Sequence, residues 1–258
     1  MGRIVGFIGV RTSVGSTTLC FEMAQNLSMK NLRVCVIDFY FSMNDISQKF
    51  NKENKFDLKD FLIGKVGADG IVEQERDNLY FIRTNAARFD YCRYKDDIKK
   101  LITMLAYKFD YILIDVNSFD SKNLLFAVQC LTEAYIIFDN EPNSIRLIAR
   151  MVKMLKQNSN IENIKYVFNK SKIIGQINKR YLSRLEIEEL LSEDVIFEIP
   201  KFLNHNFLNN NKTIKQKNRI MNNFCNSFIT NKVLHFNYSK KYKGFLGKIK
   251  RKLLEKYE

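Results

Sequence analysis

The residues from Gly9 to Thr18 have the composition of a loop that binds phosphate. A short apolar run precedes them, and a segment with helical spacing follows to about Lys30. In a strand–loop–helix unit of this kind, backbone N–H groups and the positive end of the helix converge on an anion. The phosphate-loop pattern G-x-x-x-x-G-K-S/T is matched only at Gly15 and Thr17. The bare motif therefore fails, and an ordinary strand–helix turn is the alternative.

Two aspartates end apolar runs and are candidates to hold a cation. Asp38 follows Val34–Ile37, and Asp115 follows Tyr111–Ile114. We expect each to be the first residue beyond its strand, at the same sheet edge as the loop. Phosphate-loop enzymes use an aspartate at such a position on the magnesium side. Capping of the following turn is the alternative role, but two such residues together with the loop favour a magnesium site.

Short apolar runs alternate with stretches of helical spacing along the chain. The runs are Ile4–Ile8, Val34–Asp38, Leu79–Ile82, Tyr111–Asp115, Ala134–Phe138, Ile164–Phe168 and Val195–Ile199. The helical stretches lie near Ser16–Met29, Asp96–Tyr107, Ser121–Leu131, Pro142–Lys156 and Lys179–Leu191. This alternation predicts an α/β fold, a doubly wound, mostly parallel sheet with helices on both faces. Ligands of such sheets bind beyond the C-terminal ends of the strands.

Positive charge is concentrated in the last quarter of the 258 residues. The whole chain has a formal net charge of +14. From Lys201 to Glu258, 14 basic and 2 acidic residues give +12, which leaves +2 for the first 200 residues. Such a region indicates an anionic partner, either a lipid surface or a nucleic acid. A solvated basic tail is the alternative.

The cysteines and the apolar runs indicate a cellular compartment. Five cysteines lie far apart without a C-x-x-C pair, which suits a reducing cytoplasm and argues against a disulfide framework or a zinc site. The first residues lack a signal-peptide pattern. No run approaches the roughly 20 apolar residues that a membrane span needs. We expect a cytoplasmic protein.

Ordered matches from Ile4 to Pro200 resemble the MinD/ParA family of deviant Walker A, SIMIBI-type phosphate-loop ATPases. The family signature K-G-G-V-G-K-T-T aligns with Arg11–Thr18. Further segments similar to the family are Val34–Asp38, Phe109–Asp115, Asp139–Arg146, Val167–Lys170 and Ile199–Pro200. The resemblance implies a P-loop NTPase fold, ATP or ADP with Mg²⁺ as possible ligands, and a homodimer that ATP joins.

The resemblance also implies roles for single residues. The nucleotide-binding set would be Arg11, Thr12, Ser13, Val14, Gly15, Ser16, Thr17, Thr18 and Asn169, of which Asn169 reads adenine. The metal-side set would be Thr17, Asp38 and Asp115, and Asp38 is the one possible catalytic carboxylate.

The departures from the family pattern fall on the chemistry. Ser16 stands where the family has the lysine that neutralises β- and γ-phosphate charge, and Tyr40 stands where a second carboxylate orients water. Arg11 keeps the charge of the signature lysine in a form suited to phosphate. Because charge stabilisation and water positioning are both lost, we expect a pseudo-ATPase with weak or no hydrolysis. A weakly active ATPase that uses Arg11 is an alternative.

We divide the chain into three parts. Residues 1–200 are expected to be the MinD/ParA-like core, 201–239 a basic helical extension packed on it, and 240–258 a cationic amphipathic helix. The extension should contain a helix over Lys212–Thr230. The buried stripe expected on that helix is Ile214, Ile220, Met221, Phe224 and Phe228.

The segment Tyr242–Glu258 has the pattern of a helix that lies on a membrane. Its apolar side would carry Tyr242, Phe245, Leu246, Ile249, Leu253 and Tyr257. Its basic side would carry Lys243, Lys248, Lys250, Arg251 and Lys252. This pattern suits an anionic membrane interface and resembles the membrane-targeting C-terminal helix of the family. A helix docked on the domain or on a partner is the alternative.

These observations predict a membrane-associated spatial organiser, peripheral at the inner face of the cell membrane, that forms a homodimer and recruits an unidentified protein cargo. Within the family, TadZ-type proteins of pilus and secretion systems are also similar. The alternative is a ParA-like partition protein that coats DNA without sequence specificity through its basic C-terminal region.

Overall fold

The computed structural model describes residues 1–39, 55–84, 89–116, 121–139, 141–158, 161, 163–171, 182–201 and 211–234. The strands in these ranges are β1 (Arg3–Gly9), β2 (Val34–Phe39), β3 (Glu73–Arg76), β4 (Leu79–Ile82), β5 (Tyr111–Val116), β6 (Glu133–Phe138), β7 (Asn163–Ser171) and β8 (Val195–Pro200). The α-helices are α1 (Ser16–Ser28), α2 (Leu58–Leu62), α3 (Lys95–Leu105), α4 (Ser121–Val128), α5 (Pro142–Asn158), α6 (Arg184–Leu191) and α7 (Asn211–Thr230).

The strands form one sheet in the order β3-β4-β2-β5-β1-β6-β7-β8. β3 runs antiparallel to β4, and every other neighbouring pair is parallel. The predicted α/β fold with a mostly parallel sheet is therefore confirmed. Because the parallel strands share one direction, the loops that follow β1, β2, β5, β6 and β7 leave from the same edge of the sheet.

The central strands are buried on both faces, as their continuous apolar sequences predict. Every residue of β2, β5 and β6 is buried. Helix α1 packs against β1, β2 and β5, and α7 packs against α1 and β8. Phe224 and Phe228 of α7 contact Tyr135 of β6, with ring centroids 6.4 and 5.0 Å apart. Helix α7 therefore contributes to the same hydrophobic core.

The predicted helices differ from the observed ones mainly at their ends. Helix α6 begins only after Ser183, whose side chain accepts a hydrogen bond from the backbone N–H of Glu186 in a capping box. Helices α3 and α4 end at Leu105 and Val128, two or three residues before the predicted ends. The predicted stripe on α7 is wrong at Ile214, which is 42% exposed, because the helix meets the core only nearer its C-terminal half.

Two elements were not predicted. β3 has the sequence Glu-Gln-Glu-Arg and therefore lacks an apolar run, and its charged side chains suit an edge strand that must not pair with another sheet. Helix α2 has five residues and depends on a capping box between Asp57 and Asp60. Both elements are too short or too polar for hydrophobic periodicity to reveal.

Two further findings concern the helices and the cysteines of the described residues. No helix among them combines the length and the apolar character needed to cross a membrane. All five cysteines are free thiols; Cys92 is partly buried and the other four are buried.

Candidate functional site

The loop between β1 and α1 is fixed at both ends. The backbone N–H of Val10 donates to the carbonyl of Ile137 in β6, at 3.0 Å. The first backbone hydrogen bond of α1 joins Leu19 N–H to the Gly15 carbonyl, at 2.9 Å. The three N–H groups before Leu19 therefore lack intrahelical partners, and no side chain caps this end of the helix. These groups form the kind of cradle that binds an anion.

Gly15 is required by both the conformation and the packing of the loop. Its φ of 98° lies in the left-handed region, which favours glycine. A Cβ atom at this position would lie 2.7 Å from the side-chain nitrogen of Asn169. That nitrogen donates to the Val14 carbonyl, at 2.7 Å, and Asn169 is 7% exposed. The end of β7 is thus held directly against the loop.

Lys170, the next residue along β7, also contacts the loop. Its φ of 56° is left-handed, and its backbone N–H donates to Oδ1 of Asn169, at 2.9 Å. Its ammonium donates to the Ser13 carbonyl. Burial lowers the pKa of this ammonium; Asp139 opposes that effect, while Arg11 and Lys201 add to it. Sequence reasoning gave Lys170 no role, although it stands beside Asn169 in the V-x-N-K/R element.

Arg11 forms an ion pair within its own chain. Its guanidinium binds the carboxylate of Asp139, and its Nε donates to Oγ of Ser144, at 3.0 Å. The hydroxyl of Ser144 donates to the same carboxylate. Asp139 follows β6 and Ser144 lies in the first turn of α5, so this network joins the β1–α1 loop to the β6–α5 connection at one sheet edge. Neither residue had been assigned to the site from sequence.

Asp38 and Asp115 lie side by side, but inside their strands. They are register partners in the parallel pair β2–β5, and both are fully buried. The prediction that each is the first residue beyond its strand is wrong, because β2 continues through Phe39 and β5 through Val116. Burial, followed by the charges of Asp115 and Asp38, holds the pKa of the Cys20 thiol far above its usual range. Both carboxylates therefore lie close to Cys20, beneath α1.

The match to a known family covers most of the chain. Residues 5–222 match the family described as the CobQ/CobB/MinD/ParA nucleotide binding domain. The chain belongs to this family. The family assignment made from sequence is confirmed.

Individual MinD/ParA-family proteins agree with this assignment. Septum site-determining protein MinD of Bacillus subtilis (strain 168) is 25% identical over 201 residues, which cover 76% of this chain and 75% of that protein. The MinC:MinD cell division protein complex of Aquifex aeolicus has a TM-score of 0.76 at 19% identity, covering 92% of this chain and 99% of that one. Septum site-determining protein MinD complexed with Mg-ADP, from Pyrococcus horikoshii OT3, has a TM-score of 0.64 at 17% identity, covering 78% and 82%. At these identities the structures establish the fold alone.

Within this MinD/ParA-family fold, position 16 differs from the signature in charge. Ser16 is 6% exposed, and its Oγ lies 2.9 Å from the place that a Cβ on Gly9 would occupy. The side chain is therefore turned back onto the end of β1 and brings no positive charge to the loop. Thr17 is partly buried in the same turn, while Thr12, Ser13 and Thr18 are exposed.

Some of the residues singled out from sequence lie outside the described residues. They are Tyr40 and the set assigned to the membrane, which is Phe245, Leu246, Lys248, Ile249, Lys250, Arg251, Lys252 and Leu253. The structure brings the remaining nucleotide and metal candidates to one edge of the sheet.

Proposed function

We propose that this protein is a MinD-like spatial organiser that binds a nucleotide, docks on an anionic membrane and recruits a protein partner there, with weak or no ATP hydrolysis. The observation that carries the proposal is the joining of a MinD/ParA nucleotide-binding domain to the basic amphipathic sequence Tyr242–Glu258. Either part alone would leave the function open.

The loop supports the nucleotide part of the proposal. The uncapped N–H groups at the start of α1 fit a phosphate group. No cluster of three or more acidic, cysteine or histidine side chains in the described ranges could hold a metal ion by itself. Because a described cluster of three such ligands is lacking, Thr17, Asp38 and Asp115 would hold Mg²⁺ with phosphate oxygens completing its coordination. Asn169 would leave the Val14 carbonyl and face the base. Bound Mg²⁺ would neutralise phosphate charge.

Two substitutions support impaired hydrolysis. Ser16 brings no cation to the β- and γ-phosphates, and Tyr40 replaces the carboxylate that would orient water. Arg11 could reach a partner protomer only after leaving Asp139 and Ser144. A nucleotide in such a site would regulate the protein by binding and would be hydrolysed slowly or not at all. A dimer would present two C-terminal segments to the membrane.

The C-terminal segment supports the membrane part. Burying its apolar side contributes roughly 25 cal/mol per Å², and each lysine or arginine near an anionic surface contributes about 1 kcal/mol. One short segment is a weak anchor, so two segments in a dimer would bind much more tightly than one. This would place the protein peripherally at the inner face of the cell membrane.

Vesicle sedimentation tests the proposal. Full-length protein should sediment with vesicles of phosphatidylglycerol and phosphatidylethanolamine but not with neutral phosphatidylcholine vesicles. Protein ending at Ser239 should stay in the supernatant. Ile249→Gln should weaken binding about tenfold because it removes one apolar anchor. Ile214→Gln makes the same change at an exposed position of α7 and should have no effect.

DNA binding is the second candidate, favoured by the charge of +12 between Lys201 and Glu258. It predicts sequence-independent DNA binding with a steep dependence on salt concentration. If the protein ending at Ser239 keeps full DNA affinity, and full-length protein ignores anionic vesicles, the partition function replaces the membrane function.

A further inference from the structure

A bound polyphosphate needs positive charge beside the loop that holds it, and in this protein that charge does not come from position 16. Ser16 supplies none, and its side chain is packed against Gly9. Among the described residues, the cations with hydrogen bonds at the loop are Arg11, from the loop itself, and Lys170, from the end of β7. Arg11 and Lys170 differ in how far a nearby carboxylate compensates their positive charge.

The charge of Arg11 is already compensated. Its guanidinium is paired with Asp139, a carboxylate whose side chain is only 8% exposed, and Ser144 occupies a further donor. An incoming phosphate would have to compete with that carboxylate for Arg11. In this arrangement the arginine adds little net positive charge to the loop.

Among the described residues Lys170 forms no ion pair, although Asp139 lies near enough to favour its charged form. Its ammonium has three N–H donors, and the acceptor it contacts in the described part of the chain is the neutral carbonyl of Ser13. Its Cε lies 3.9 Å from the place that a Cβ on Gly15 would occupy. The left-handed backbone at Lys170 and the bond from its N–H to Asn169 aim the side chain across the loop.

We propose that Lys170 supplies, from the end of β7, the phosphate-directed positive charge that position 16 lacks. The inference rests on the proposed nucleotide binding at this site. The ammonium keeps or exchanges its contact with the Ser13 carbonyl and donates to the phosphate oxygens of the bound nucleotide. The cation thus comes from a strand packed beside the loop instead of from the first turn of α1.

A purely structural role for Lys170 predicts a different pattern. If its ammonium only held the Ser13 carbonyl, a substitution would alter the loop for every ligand, including adenosine. A phosphate-directed cation affects only ligands that carry phosphate, and its effect is recovered when the charge is returned. This difference defines the experiment.

The experiment is titration calorimetry of the full-length protein with ATP, ADP and adenosine, each with and without Mg²⁺. Lys170→Met should weaken ATP binding about tenfold or more, the loss typical of one charged hydrogen bond, and should leave adenosine binding unchanged. Lys170→Arg should stay within about threefold of wild type. Lys201→Met, which removes a lysine exposed at the end of the neighbouring strand β8, should change ATP affinity less than threefold because screened surface charges act weakly.

A second variant protects the test from a folding defect. Adding Ser16→Lys to Lys170→Met should restore ATP affinity if the missing quantity is charge at the loop. Three results would overturn the inference without affecting the proposed nucleotide binding. ATP could bind wild type and Lys170→Met equally well, or Lys170→Met and Lys201→Met could lose the same affinity. The third result is that Ser16→Lys fails to restore ATP binding to Lys170→Met. If wild-type protein binds neither ATP nor ADP, the inference and the proposed nucleotide function fall together.

Discussion

The strands β1 and β6 are joined at both ends by an arginine–carboxylate pair, and the two pairs are built differently. At the start of the strands Arg3 binds Glu133, and beyond their C-terminal ends Arg11 binds Asp139. The same two neighbouring strands therefore allow a comparison of similar chemistry at opposite edges of one sheet.

The pair at the start of the strands is enclosed by the core. Arg3 binds Glu133 through two hydrogen bonds of 2.6 Å and donates to the carbonyl of Phe228 in α7, at 2.9 Å. Its guanidinium lies 4.9 Å from the centre of the Phe228 ring and 5.4 Å from that of Tyr111. The same guanidinium thus binds Glu133 in β6 and contacts both the backbone and the ring of Phe228, so the pair holds α7 on the sheet.

The pair beyond the C-terminal ends has no such enclosure. The Arg11 side chain is 33% exposed and belongs to a loop, whereas that of Arg3 is 24% exposed and belongs to a strand. Around Arg11 lie the uncapped start of α1 and the ammonium of Lys170. Burial and aromatic contacts therefore make the Arg3–Glu133 pair structural. The charged groups around the Arg11–Asp139 pair can instead change partners when an anionic ligand binds.

The largest effect should come from breaking the enclosed pair. Arg3→Met leaves the buried carboxylate of Glu133 uncompensated and should lower the free energy of unfolding by about 3 kcal/mol. Arg11→Met, the matched change at the other edge, should cost less, because Asp139 keeps its hydrogen bond from Ser144 and lies near the ammonium of Lys170. Urea unfolding measures both. Equal losses would show that the two edges do not differ as described.

Returning a lysine to the loop should have the next largest effect. Ser16→Lys places a cation in the first turn of α1 and should tighten ATP binding about 30-fold, since a phosphate-directed charged hydrogen bond is worth roughly 2 kcal/mol. Met29→Lys adds the same charge at the exposed far end of α1 and is the control. The same small change in calorimetric affinity for both variants would remove the loop from consideration as a nucleotide site.

A smaller effect should be seen in the pH dependence of stability, which reports how well the segment before β6 excludes water from the thiol of Cys130. Burial raises the pKa of Cys130 from 9.0 to about 12. The folded state therefore keeps this thiol neutral while the unfolded chain ionises, so its contribution to stability is complete below pH 9 and declines as the pH rises towards about 12.

Urea unfolding at several alkaline pH values measures this decline. Cys130→Ala should flatten the loss of stability above pH 9 by about 1 kcal/mol per pH unit. Cys92→Ala, at a partly buried thiol, is the control. An unchanged slope in Cys130→Ala would mean that this edge is wetter than its packing implies.

The sequence predicted the strands better than the contacts at their ends. A strand that lies within the core is mostly apolar, which is why Leu79–Ile82, with three of its four residues buried, was predicted with its observed limits. The strand ends at Asp38 and Asp115 were misplaced because a carboxylate interrupts the apolar pattern, whereas the backbone pairing of β2 with β5 continues through Phe39 and Val116. Hydrogen bonding of the backbone does not depend on side-chain polarity.

The network around the loop could not be predicted in the same way. The contact of Lys170 with Ser13 joins residues 157 positions apart, and that of Arg11 with Asp139 joins residues 128 positions apart. The family pattern placed Arg11 and Asn169 at the loop, but it carried no information on which acid pairs with Arg11. Only the folded sheet edge shows that Asp139 pairs directly with Arg11 and also favours the charged form of Lys170.

The smallest effect should come from removing that compensation. Asp139→Asn keeps an acceptor for Arg11 and Ser144 but removes the negative charge that acts on Arg11 and Lys170, so ATP binding should tighten about threefold, an effect typical of a partly screened charge. Glu133→Gln, the matched neutralisation at the other end of β6, should lower the free energy of unfolding without changing ATP affinity. Calorimetry and urea unfolding of the two variants separate these outcomes. If Asp139→Asn weakens ATP binding instead, then Asp139 positions Arg11 for the ligand, and the pair at Arg11 is as structural as the pair at Arg3.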